Sequence, residues 1–168
     1  GPSPLPWGRT TFRGPAPALD LPSPELEVLS VTAAAAGQRL FRVRLRSLRG
    51  APQVQLGLPA ASVSEVLSVG GKPLPPGAHK NRSASDWRLV TVHTVGPEGV
   101  EVELRVAAED FEAQLLDRSY GLPVEGAALL AARPPTASAT GWGDMTVVRS
   151  RVRFAAPATA AHRASLAG

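Results

Sequence analysis

The chain has 168 residues and no cysteine. That removes disulfides, thiolate zinc sites and cysteine nucleophiles together, and leaves the redox compartment open. Lysine is nearly missing: Lys72 and Lys80 stand against 16 arginines, so the net charge of +4 is carried almost wholly by guanidinium groups. Tyr120 is the single tyrosine. No apolar run approaches the ~20 residues needed to span a bilayer, so direct membrane insertion is not expected. No segment has a sustained helical period, and no internal repeat is visible. Blocks of Lys/Arg are also missing, so the high pI of about 10.6 reads as exposed strand faces rather than as a nucleic-acid surface. Heavy Ala, Arg, Gly and Pro usage suggests a GC-rich bacterial genome.

What is present is a globular composition, 43% hydrophobic and 19% charged, in a length that suits one domain with tails. Residues 1–24 hold seven of the 17 prolines. They read as an extended or linker-like segment, with Trp7 and Phe12 as its anchors. Gly1-Pro2 resembles the remnant of a cleaved tag, so the natural protein is expected to begin upstream. From Glu25 onward the pattern has a period of two. Phe41, Val43 and Leu45 alternate with Arg42, Arg44 and Arg46. Val54, Leu56 and Leu58 alternate with glutamines. Val100, Val102, Leu104 and Val106 alternate with Glu101, Glu103 and Arg105. Val148, Ser150, Val152 and Phe154 alternate with Arg149, Arg151 and Arg153.

Turn signals such as Gly70-Gly71 and Gly96–Gly99 separate about eight short strands, which predicts an all-β antiparallel sandwich over residues 25–156. Residues 157–168 form a low-complexity tail. Residues 125–132 are placed as one short helical turn. Two arginine ladders side by side would repel, so the Val100–Val106 strand, with Glu101 and Glu103 outward, is predicted beside at least one of them. The functional alternative, a phosphate- or lipid-facing sheet, requires the ladders to be unpaired and contiguous.

The usual catalytic signatures do not occur. The three histidines, His79, His93 and His162, have no partner at H-E-x-x-H spacing. There is no G-x-S-x-G elbow and no P-loop spacing at Gly70-Gly71-Lys72. His93 with Ser119 and Asp117 is the one triad-like set the composition allows, and nothing local supports it. Glu109, Asp110 and Glu112 read as a solvated corner. The expectation is a chain with no catalytic residue and no metal of its own.

The second half carries more specific elements: Asp117-Arg118-Ser119-Tyr120-Gly121-Leu122-Pro123, then Arg133-Pro134, then Asp144-Met145-Thr146-Val147-Val148. In order and spacing these resemble the C-terminal domain of multi-spanning membrane zinc metallopeptidases, an aminopeptidase-like family with vacuolar, endoplasmic-reticulum and bacterial members. The resemblance covers roughly residues 25–156. It implies a non-catalytic accessory domain on the extracytoplasmic, periplasmic face of a bacterial membrane. It also implies partners in the upstream catalytic and membrane domains of the same chain, peptide substrate contact, and zinc only in that upstream domain.

Read as side chains, the same elements form a structural clasp. Asp117 and Ser119 can bond nearby amides, Gly121 can take a positive φ, Pro123 sets the exit, and Arg133 can pair with Asp117 or Asp144. The competing readings are a free-standing carbohydrate- or protein-binding sandwich, with Trp87 and Trp142 as its exposed aromatics, and an autonomous hydrolase built around His93.

Overall fold

A computed structural model describes residues 18–77, 86–138 and 143–155. Nine strands run through them: β1 (Glu25–Ala33), β2 (Arg39–Arg46), β3 (Gln53–Pro59), β4 (Val63–Val69), β5 (Lys72–Pro73), β6 (Trp87–His93), β7 (Val100–Val106), β8 (Phe111–Tyr120) and β9 (Met145–Phe154). They form two antiparallel sheets, ordered β1-β2-β7-β4-β5 and β6-β3-β8-β9. The expected sandwich is therefore present. The strand beyond the anticipated eight is the two-residue return β5, which follows the Gly70-Gly71 turn. Both glycines have positive φ, +58° and +72°, a conformation that costs a side-chain-bearing residue about 1 kcal/mol or more. The short helical turn is also found, as a 3-10 turn at Val124–Gly126 leading into α1 (Ala127–Ala131).

The period of two decides what is buried. Phe41, Val43 and Leu45 of β2, Val54, Leu56 and Leu58 of β3, and Val102, Leu104 and Val106 of β7 all point between the sheets. Each such side chain gains about 1.5–3 kcal/mol from leaving water. At one end of this core Phe154 of β9 stacks on Phe111 of β8, with ring centroids 4.6 Å apart, and meets Phe41 of the opposite sheet edge-on at 5.4 Å.

The outward face of the five-stranded sheet answers the charge question. Arg42 lies opposite Glu103 and Arg44 opposite Glu101 in the β2–β7 register. Glu101 accepts from Arg42 at 2.5 Å and from Arg44 at 2.9 Å. Arg44 also reaches Glu27, and Arg46 meets Glu25 at 2.7 Å. The hydrogen bond from Arg44, then that from Arg42, holds the Glu101 carboxyl below the ordinary carboxylate range. The second arginine ladder belongs to the other sheet, where Arg153 pairs with Asp110 at 2.9 Å and Arg151 lies 3.8 Å from Glu112. The two ladders are neither contiguous nor left without acids, so a phosphate- or lipid-facing arginine sheet does not form.

Residues 18–24 lead into β1 and lie along β9. The Ser150 hydroxyl donates to the Pro24 carbonyl at 3.0 Å. Leu19 and Leu21 lie in an apolar groove with Leu122, Pro123, Met145 and Val147. Trp7, Phe12, His79, Trp142 and His162 fall outside the described residues.

Candidate functional site

The elements singled out in the second half of the sequence meet at one corner of the sandwich. Asp117 lies on the inward face of β8, opposite Val54 of β3, and is fully buried. A lone carboxylate there would be costly. It is held by Arg49, whose Nε donates to Oδ1 at 2.8 Å, and by Ser47, whose Oγ donates to Oδ2 at 2.5 Å. Ser47 is itself fixed, because its Oγ accepts the Ala51 amide at 2.9 Å. Arg49 spends its remaining nitrogens on the neighbouring strands: Nη1 donates to Ser119 Oγ at 2.6 Å and Nη2 to the Thr146 carbonyl at 3.0 Å. One guanidinium from the loop that crosses from β2 to β3 thus ties that loop to β8 and β9.

A second layer continues from Thr146. Its hydroxyl donates to the Gly121 carbonyl at 2.8 Å, and the Gly121 amide donates to the Asp144 carbonyl at 2.8 Å. Gly121 has φ +83°, so the chain leaves β8 through the left-handed region that glycine tolerates. Leu122 and Pro123 then turn into the apolar groove against residues 18–24. Arg133, just past α1, forms its ion pair with Asp144, and the Pro134 carbonyl accepts the Ala137 amide at 2.9 Å.

The two acids therefore have different partners. Of the two pairings the sequence allowed for Arg133, the one with Asp144 forms. Asp117 belongs to Arg49, a residue the sequence reading passed over. The Arg133–Asp144 pair is also partly exposed, at 31% and 26% of side-chain area. Replacing Arg133 with alanine is expected to lower stability by no more than about 1 kcal/mol, as such pairs do. Urea unfolding followed by circular dichroism checks this, and a loss of about 3 kcal/mol or more would show the pair to be the main fastening.

The triad-like set does not assemble. Asp117 and Ser119 face inward, whereas His93 sits on the outward face of β6, 3.2 Å from Gln53 Nε2. Ser119 Oγ is occupied as an acceptor from Arg49. Among the described residues no group of three or more His, Asp or Glu is placed to hold a metal ion, and no helix is long and apolar enough to cross a membrane. Tyr120, at 65% exposure, stands on the outward face of β8, and Trp87 is half-buried at the start of β6.

The fold and this corner define a two-sheet antiparallel β-sandwich with an ionic clasp at one end. Compared with family models and with curated proteins, the chain matches none.

Proposed function

We propose that the chain is a non-catalytic accessory sandwich of a membrane-bound zinc peptidase, carried on the extracytoplasmic side of a bacterial membrane. There it would assist substrate access, stability or assembly of the parent. The observation that supports this reading is the convergence of the motif residues. Asp117, Ser119, Gly121, Asp144 and Thr146 are drawn from two separated stretches and lie in one hydrogen-bonded corner. Their polar atoms are engaged with Ser47, Arg49 and one another, which suits a scaffold better than a reaction centre.

The test is the coding sequence upstream of residue 3, together with the activity of the chain itself. Several membrane-spanning segments are expected there, preceded by a His/Asp/Glu-rich di-metal site. The isolated chain supplied with zinc is expected to leave aminoacyl-p-nitroanilides uncleaved. A reading frame that begins near Leu5 behind a signal peptide alone would overturn the proposal, as would zinc-dependent aminopeptidase turnover by the chain.

A second reading, a free-standing binding sandwich, is favoured by one feature of the outward face of the four-stranded sheet. That face carries a polar hollow around Arg118.

A further inference from the structure

Across the outward face of β6-β3-β8-β9, strand register sets His93, Gln53 and Arg118 in one row and Thr91, Gln55 and Leu116 in the next. Tyr120 and Met145 pair beyond them. All of these but the buried Leu116 line a hollow of about 300 Å³.

Arg118 differs from most arginines of the sandwich in meeting no carboxylate among the described residues; Arg39, another such case, donates instead to the Ala108 and Glu109 carbonyls. Arg42, Arg44, Arg46, Arg49, Arg105, Arg133, Arg151 and Arg153 each meet a carboxylate. Among the described residues Arg118 has a single partner, the neutral Gln55 side chain, whose Oε1 accepts from Nη2 at 2.9 Å. Burial lowers its pKa from the ordinary value, and no acid offsets that effect. The group remains a cation, since guanidinium does not deprotonate in proteins.

The amide that holds it is itself locked. Gln55 is 7% exposed, and its Nε2 donates to Thr91 Oγ1 at 2.7 Å, which fixes Oε1 toward Arg118. A guanidinium has five N–H donors in a rigid fork, and Gln55 takes one of them. The result is a partly desolvated, oriented cation whose counter-charge is missing from the described residues.

We infer that this hollow binds the C-terminal carboxylate of a peptide that ends in an apolar residue. The planar fork matches a carboxylate bidentately. Arg118 is the one permanent cation of the hollow and balances one negative charge, whereas phosphate carries up to two at neutral pH. Met145 and the Tyr120 ring give the terminal side chain an apolar wall. Gln53 Nε2 stands in the same row as Arg118 and offers a neutral donor at the rim.

The inference is independent of the peptidase reading, because it is decided on the isolated 168-residue chain by binding alone. The probes are N-acetyl-leucine, N-acetyl-leucinamide, glucuronate and inorganic phosphate, titrated by calorimetry and by amide chemical-shift perturbation. N-acetyl-leucine is expected to saturate with a dissociation constant on the order of 1 mM, and the other three to bind at least about tenfold more weakly. Arg118→Gln is expected to abolish saturation by N-acetyl-leucine. The shifts should centre on β3, β6 and β8 near Gln55, Thr91 and Arg118.

Absence of binding by N-acetyl-leucine overturns the inference, and so does equal binding by its amide. Equal or tighter binding of glucuronate or phosphate assigns the hollow to an acidic sugar or an inorganic anion instead, and overturns the peptide. If Arg118→Gln does not fold, the acid-against-amide comparison on the unaltered chain still decides.

Discussion

Replacing Arg49 with alanine is expected to destabilise the sandwich by about 3 kcal/mol, roughly a 10 °C fall in Tm for a body of this size. The reason lies in what stays behind. Asp117 is fully buried, and without Arg49 its carboxylate keeps only the Ser47 hydroxyl. An uncompensated buried charge costs far more than an intact pair contributes. Arg49 also holds Ser119 and the Thr146 carbonyl, so two more partly buried acceptors lose their donor.

The companion substitution separates charge from geometry. In an Arg49→Met, Asp117→Leu double variant no buried charge is left, and such replacements are often neutral or stabilising. Thermal unfolding by circular dichroism should therefore show the double variant recovering most of the loss of Arg49→Ala. If the double variant is as unstable as the single one, the corner depends on the directed hydrogen bonds of the guanidinium rather than on charge neutralisation.

The contrast between Arg49 and Arg133 also shows where sequence reasoning stopped. The alternations of β2, β7 and β9 were readable because a strand repeats every two residues and each alternates a buried apolar face with a charged one. The Arg–Glu lacing between β2 and β7 followed from that period plus the cost of like charges side by side. Arg49 was not readable by the same rule. It lies in the loop that crosses from β2 in one sheet to β3 in the other, after the four arginines of β2, and its partner is 68 residues away on β8. Which acid a loop cation reaches depends on how the two sheets stack, and no local pattern encodes that.

Gln55 is a similar case. It stands in a Gln-Val-Gln-Leu alternation that reads as polar and solvent-facing, and it is on the outward face as that pattern requires. Yet it is 7% exposed and spent on Arg118 and Thr91. The alternation gave the face correctly and carried no information about burial on it. The unusual situation of Arg118 was hidden for the same reason: a guanidinium without a counter-charge is defined by what its neighbouring strands do not supply.

At the opposite end of the core, Phe154→Ala is expected to cost about 3–5 kcal/mol, the range for emptying a buried aromatic site. Phe154 is 2% exposed, stacks on Phe111 within its own sheet, and meets Phe41 of the facing sheet edge-on. It therefore couples the end of β9, an edge strand, to both layers. Phe154→Leu keeps most of the volume and gives up the ring contacts, so its cost should fall to about 1–2 kcal/mol. A cost below about 1 kcal/mol for the alanine variant would mean that the end of β9 opens before the body unfolds.

The two ends also test each other. Phe111 and Asp117 are six residues apart on β8, about 20 Å at strand rise. At that distance independent effects add to within about 0.5 kcal/mol. The Arg49→Ala, Phe154→Leu double variant should lose the sum of its single losses in urea unfolding, with an unchanged m value. A sum that exceeds the measured loss by more than that margin would show that the clasp and the aromatic cluster hold β8 jointly, through the strand that connects them.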